Sequence, residues 1–264
     1  MKKNFFPLIA MIGGIGVCLY GIIGGGGTIS MFISVSSLFI VLVGSFASLA
    51  IVYPLSMLKN IPKLFNALLS EQTISLKELP TLFEGLALEA KKNGILALDS
   101  KIPEIDNEFI QRGIQMVVDG IDANEIRNSL ENEIEALEYR HGKNHEMIGK
   151  WAELAPAFGM IGTVTGLIIM LGDLGGDAAS LGAGMAVALI TTFYGSFFQN
   201  IFFTPMASNL KNKTAEEVNL KQIVVSGVLM IQSGVNPRMV KDNLSSYLSP
   251  TERDELYNTD ISGQ

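Results

Sequence analysis

PAFGMIGTVTGLIIML, residues 156–171, decides the fold. No residue in it is charged, and the charge-free run around it extends from Leu154 to Gly172. The hydrocarbon core of a bilayer takes about 20 predominantly apolar residues per helix. Three other stretches are equally free of charge: Phe5 to Ile23, Gly24 to Leu58 and Ala178 to Leu210. Each holds one membrane span. The whole chain agrees: 48% of its 264 residues are hydrophobic and only 17% are charged, whereas a soluble domain carries about 25% charged residues. The reading is an all-α membrane protein with four transmembrane helices and a helical cytoplasmic part.

The composition of this stretch says more. Gly159, Gly162, Thr163 and Gly166 put small surfaces one turn apart, and Gly162 and Gly166 form a GxxxG pair. Such surfaces let two helices approach closely in lipid. The last apolar run answers with Ala186, Ala188, Thr191, Thr192, Gly195 and Ser196. Spans three (about Pro156 to Leu171) and four (about Met185 to Phe203) are therefore contact helices. Spans one (about Phe5 to Ile23) and two (about Ser30 to Leu55) carry bulkier Leu, Ile, Val and Phe, and suit contact with lipid. Packing explains the glycines. It explains Thr163, Thr165, Thr191 and Thr192 less well, and a polar lining for an ion or a partner helix is the sharper reading.

Orientation follows from lysine placement. Lys2 and Lys3 precede span one, Lys59 and Lys63 follow span two, Lys150 precedes span three, and Lys211 and Lys213 follow span four. The loops Gly24 to Ile29 and Gly172 to Gly184 contain no Lys or Arg, and the second holds Asp173 and Asp177. Both termini and the long middle segment are expected in the cytoplasm, with Trp151 as an interfacial anchor. Lys2 and Lys3 before an apolar run also suit a cleaved leader, but no A-x-A site follows and a second apolar run begins at once. Gly24 to Gly27 is a tight link for a helical hairpin.

About a hundred residues between spans two and three are too many for a plain loop. Ser75-Leu76-Lys77-Glu78 has the pattern of a capping box and opens a helix with Leu79, Leu82, Phe83 and Leu86 on one face. Lys91 and Lys92 fall in its last turn and Gly94 after it. A second helix runs from Asn107 to Asp119 and closes at Gly120. A third begins at the cap Asp122 and continues, bent at Pro156, through span three. Thr214 to Gln232 is another helix, Pro237 starts the next, and Ser249 to Gln264 reads as a polar, frayed end. The chain divides into a transmembrane hairpin (1–55), a cytoplasmic helical segment (56–150), the pair of spans three and four (151–205) and cytoplasmic C-terminal helices (206–264).

Several functions are excluded. The net charge of −7 and the lack of a long basic run speak against nucleic-acid binding. Cys18 is the single cysteine and reads as a buried apolar residue. His141 and His145 share a helix face without a third ligand, so a solvated face is preferred to a metal site. No nucleophile–base arrangement, phosphate loop or dinucleotide fingerprint suggests an enzyme or an organic cofactor. None of the four spans contains Asp, Glu, Lys, Arg or His. A proton relay needs a titratable group within the membrane, so if this chain takes part in ion flux that group must come from another polypeptide.

Taken in order, residues 156–163 (PAFGMIGT), 188–195 (ALITTFYG), Pro205 and 234–237 (GVNP), with the hairpin and the large cytoplasmic segment, resemble the flagellar stator subunits of the MotA/TolQ/ExbB family, the PomA-like branch in particular. The resemblance covers nearly the whole chain, and four spans favour the MotA side over ExbB or TolQ. It implies a homopentameric ring in the bacterial inner membrane around two MotB/PomB-type subunits. These bring the missing aspartate, and the complex conducts H+ or Na+ and turns the ion-motive force into torque. It implies that Thr163 and Thr192 face the ion path, with Thr191 beside them, and that Pro156 and Pro205 couple conformational change. It places Lys91, Lys92 and Asp99 at the rotor protein FliG; the family has arginine and glutamate where Lys91 and Asp99 stand, and lysine lacks arginine's bidentate fork. Thr163 with Thr191 and Thr192 resembles the sodium-type pattern. Two other readings remain: an ExbB/TolQ-like transducer, marked by a TonB-like neighbouring gene, and a passive membrane scaffold, marked by no ion conductance with its partner.

Overall fold

The computed structural model describes residues 4–70, 75–173, 175 and 178–262. Lys2, Lys3 and Asp177, used above to orient the chain, lie outside the described residues. Among the described residues the structure is all-helical, and four helices are long and apolar enough to cross a membrane. The described residues form two compact units, one built from residues 4–70 and 141–212 and the other from residues 75–140 and 213–262.

In the first unit, α1 spans Phe6–Gly24, opened by Pro7 in its first turn, and has no buried residue. The chain turns through Gly26, whose φ of 80° suits only glycine, and through a short 3-10 helix, Ile29–Phe32. The second apolar helix, α2 (Val35–Val52), starts five residues later than the hydropathy suggests. Ser34 caps it, its hydroxyl accepting the Ser37 N–H at 3.3 Å. From Phe39 to Val43 this helix widens into a π turn. Pro54 ends the apolar stretch, and α3 (Ile61–Leu69) is amphipathic, burying Ile61, Leu64 and Leu68. These pack with Val41, Leu49, Met147, Ile148, Phe203 and Met206.

Trp151, expected as an interfacial anchor, also packs within the unit. Its indole N–H donates to the buried Ser45 hydroxyl at 3.0 Å, and its ring stacks on Phe203 at 4.3 Å. A partly buried indole N–H usually finds such an acceptor, and the hydropathy pattern could not reveal that one was waiting on α2.

In the second unit, α4 covers Leu79–Asn93. The capping box expected at Ser75 does not form: the Ser75 hydroxyl accepts the Lys77 N–H in a turn, and the helix starts later, with Pro80 in its first turn. Gly94 (φ 84°) ends α4, and a 3-10 helix follows over Ile95–Glu104. In α5 (Glu108–Val118) the Asn107 side chain caps Phe109 and Ile110. Next comes α6 (Ala123–Gly172), unbroken at Pro156, whose Asp122 carboxylate accepts the Asn124 N–H at 2.9 Å. Residues 123–140 of α6 lie in this unit and residues 141–172 in the other.

Span four is α7 (Ala178–Phe197), which runs through a second π turn, Phe198–Phe203, into α8 (Thr204–Gln232). The helix expected over Thr214 to Gln232 is thus continuous with span four, and the wider turn just before Pro205 accommodates a residue with no N–H. Asn236 caps α9 (Pro237–Ser245). The polar end is not frayed from Ser249 onward: α10 spans Pro250–Ser262. Ser249 and Glu252 form the reciprocal cap there, the Ser249 N–H donating to the Glu252 carboxylate at 3.1 Å.

The core of this unit joins Leu79, Phe83, Ile110, Ile114, Leu130 and Val228. Lys241, only 5% exposed, is balanced by Glu84 at 2.9 Å, tying α9 to α4.

Candidate functional site: the glycine-packed pair of spans three and four

Helices α6 and α7 meet through glycine. A Cβ on Gly166 would lie 2.5 Å from the Ala188 nitrogen and 2.6 Å from the Gly184 oxygen. On Gly159 it would lie 2.9 Å from the Thr191 oxygen, and on Gly195 2.8 Å from Pro156 Cα. On Gly162 it would overlap the Thr191 side chain. No side chain fits in these places. The glycines singled out from the sequence thus lie along one seam, and Gly184 belongs to it too. Its partner is Met170, whose nitrogen lies 2.8 Å from a Cβ built there. Gly44 of α2 also meets span three, where a Cβ would overlap the Phe158 ring. A lone glycine in an apolar run carries no signal of its partner, so neither was legible beforehand.

The threonines divide. Thr191 is buried in the seam, and its hydroxyl reaches the carbonyls of Val187 at 2.8 Å and Ala188 at 3.0 Å on its own helix. Thr165 is exposed and donates to the Ile161 carbonyl at 2.9 Å. Thr163 and Thr192 meet: their hydroxyl oxygens are 2.5 Å apart. Thr163 is half-buried and Thr192 is exposed, so the pair stands at the open edge of the seam. Thr163 also lies 3.0 Å from the Gly159 carbonyl and 3.1 Å from the Ala188 carbonyl, and Thr192 lies 3.2 Å from the latter. Three hydroxyls therefore surround the Ala188 oxygen, which has only two lone pairs. Thr191 has Val187 and Thr163 has Gly159 as alternative acceptors, so the protons can be redistributed without leaving an oxygen bare.

This locus offers two hydroxyl and two carbonyl oxygens and no charge. Oxygen rings of this kind replace part of a cation's hydration shell. They do not supply a proton acceptor at neutral pH. Among the described residues no group of three or more His, Cys, Asp and Glu could hold a metal ion.

Tyr194 is a member that sequence reasoning missed. Its hydroxyl donates to the Phe32 carbonyl at 2.5 Å and accepts the Ser34 N–H at 3.2 Å. It ties span four to the residues that cap α2. Pro156 is half-buried beneath Gly195, while Pro205 is exposed beyond the second π turn. The two prolines are not brought together.

Lys91, Lys92 and Asp99 belong to the other unit. All three are exposed. The lysines occupy the last turn of α4 and the aspartate lies on the 3-10 helix that packs against it. Buried Leu86, Ala87 and Leu98 hold these two elements in the core.

Comparison with known proteins concerns the chain as a whole. Residues 101–223 match the family described as the MotA/TolQ/ExbB proton channel family. Motility protein A of Treponema phagedenis is 41% identical over 94% of this chain and 96% of its own length. Chemotaxis protein PomA of Vibrio alginolyticus is 34% identical over 93% and 96%. Among solved structures, the flagellar MotAB stator complex from Bacillus subtilis superposes with a TM-score of 0.85 at 30% identity, covering 93% of this chain and 97% of that one. The structure of C. jejuni MotAB gives 0.87 at 27% identity, covering 94% and 96%.

Proposed function

The chain belongs to the MotA/TolQ/ExbB proton channel family, and from that premise we propose how it works as a flagellar stator subunit of the inner membrane. Five copies form a ring around the membrane helices of two MotB-type subunits, with both termini in the cytoplasm. The ring faces that pair with spans three and four. The observation that carries this reading is the Thr163–Thr192 hydroxyl pair at the open edge of a seam that has no ionisable side chain. The pair can hand a cation to an aspartate but cannot replace it. The aspartate of the MotB-type partner completes the path, and its loading and unloading steps the ring. One charge moving down 100 mV releases about 2.3 kcal/mol, so several ions drive each sizeable step. Pro156 and Pro205 mark the ends of the moving pair.

The ion we assign is sodium, from Thr163 together with Thr191 and Thr192. Swimming speed measured against external sodium at fixed pH tests it, and a speed indifferent to sodium would sink it. The conducting role is tested by co-expression with the MotB-type partner after removal of its plug: ion uptake is expected, and its absence would favour the passive scaffold.

Lys91, Lys92 and Asp99 form the surface that meets the rotor protein FliG, through opposite charges exposed on the last turn of α4 and on the 3-10 helix after it. Lys91→Glu combined with Asp99→Lys is expected to stop or severely slow swimming while the complex still assembles. Normal swimming in that double variant would remove the assignment.

A further inference from the structure

Thr191 and Gly195 of α7 lie in the seam with span three. A helix winds by about 100° per residue, which sets Thr192 to one side of that face and Tyr194 to the other. The same winding on α6 sets Thr163 to one side of Gly159, Gly162 and Gly166, and Phe158 to the other. The seam thus has two edges. At the open edge the Thr163 and Thr192 hydroxyls meet. At the opposite edge lies α2, and it is attached to both helices. Tyr194 holds its entry, the ring hydroxyl donating to the Phe32 carbonyl at 2.5 Å and accepting the Ser34 N–H at 3.2 Å. The Phe32 ring also meets Phe193 edge to face at 5.3 Å, so two successive residues of span four grip this entry. Farther along, α2 holds span three: a Cβ on Gly44 would overlap the Phe158 ring, and the Ser45 hydroxyl accepts the Trp151 N–H at 3.0 Å. The second span is a brace across the back of the seam.

What a brace so placed controls is rotation. A side-chain hydroxyl stands about 5 Å from its helix axis, so a turn of about 10° carries it about 1 Å. The two threonine hydroxyl oxygens are 2.5 Å apart, and about 1 Å more takes them to the limit of hydrogen bonding. Gly159, Gly166 and Gly195 meet main chain along the seam, and so small a surface offers little to stop such a turn. We infer that Tyr194 is a positioning residue for the threonine pair: by pinning span four to α2 it fixes the rotation of span four, and with it the spacing of the two hydroxyls that receive the cation. This rests on the reading of that pair as the ion locus, and assigns to the tyrosine on the far edge the affinity of that locus.

The test uses vesicles holding the complex of this chain with its MotB-type partner, the plug removed. Initial ion uptake is measured against sodium at fixed pH and against pH at fixed sodium, and the half-saturating concentration is taken for the ion that drives it. Tyr194→Phe removes the hydroxyl and keeps the ring. It should raise the half-saturating concentration by about fivefold, the ratio one hydrogen bond supplies, with little change in the maximal uptake per complex. A tyrosine that only stabilised the bundle would do the opposite, lowering the amount of assembled complex and leaving the half-saturating concentration alone. Ser45→Ala loosens the brace at its other attachment and should shift the same quantity in the same direction by less; it takes the place of Tyr194→Phe should that variant not assemble. An unchanged half-saturating concentration in the variant overturns the inference and leaves the ion locus standing. Absence of uptake by the unaltered complex removes the ion locus, and the inference with it.

Discussion

The two units pack by different rules, although both use glycine. In the unit with the large aliphatic core, Gly227 gives room to the Phe83 ring and Gly113 to a Val228 methyl, at 2.7 and 2.8 Å from the Cβ each glycine lacks. There glycine makes a socket for a side chain. Along the seam of α6 and α7, Gly159, Gly166 and Gly195 face backbone atoms instead. There glycine lets one main chain lie on another. The difference follows from the solvent. Water drives the burial of Phe83, Ile110, Ile114 and Leu130, so bulky side chains hold that unit together. Lipid is as apolar as leucine and drives nothing inward, so close van der Waals contact and interhelical hydrogen bonds must do the holding.

Substitution at a seam glycine is the harshest way to break this comparison. Gly166→Val puts atoms where the Ala188 nitrogen and the Gly184 oxygen already are, and backbone cannot step aside. Complete loss of swimming and failure to assemble with the MotB-type partner are expected, checked by motility plates and size exclusion. In the aliphatic unit, Phe83→Ala empties a fully buried site and should cost about 3–5 kcal/mol, read as a fall in melting temperature. A Phe83→Leu variant should recover most of it, whereas no conservative replacement should rescue Gly166. If valine at 166 were tolerated as well as leucine at 83, the distinction between the two kinds of glycine contact would collapse.

Much of this contrast was legible in the sequence. Charge-free runs gave the four spans because the bilayer tolerates so few alternatives, and GxxxG spacing marked the seam because only small residues allow it. The exposed positions of Lys91, Lys92 and Asp99 could be anticipated from Gly94 and the helix end it marks. What stayed hidden depends on a partner distant in sequence. Gly44 against Phe158, Ser45 against Trp151 and Tyr194 against Phe32 and Ser34 are each matched across the fold. Local periodicity carries no information on such pairs. The reciprocal cap of Ser249 and Glu252 was visible in the sequence pattern, but polar composition at a chain end obscured it.

Two milder changes sharpen the picture. Thr192→Ala removes an exposed hydroxyl at the edge of the seam and should cost about 1 kcal/mol or less in stability, yet slow swimming severely. Thr191→Ala, inside the seam, should do the reverse, lowering stability with a smaller effect on ion dependence. Motility curves against sodium, paired with thermal unfolding of the purified complex, separate the two outcomes, and identical behaviour of the variants would dissolve the division between path and packing.

The smallest effect concerns pH. Burial pushes the His145 imidazole below its usual value, and Lys211 and His141 push the same way against the opposing pull of Glu146. A base with a lowered native pKa binds protons more readily when unfolded. The complex should therefore lose a little stability as pH falls from about 6.5 toward the lowered native value. The loss should be slight because His145 is largely solvated, and His145→Gln should flatten it. A pH profile of melting temperature unchanged by that substitution would assign the sensitivity elsewhere.

The π turn at Phe39–Val43 gives the second span a counting rule. Such a turn is a helix carrying one residue more than its ordinary winding needs. Deleting a single residue there would leave the span apolar, long enough and helical, and no hydropathy profile would register the loss. Every position beyond it would nonetheless swing by about 100°, taking Ser45 away from the Trp151 N–H and Gly44 away from Phe158. The face that α2 shows to its neighbours is set by the number of residues before it, so the genetic length of this helix matters as much as its composition.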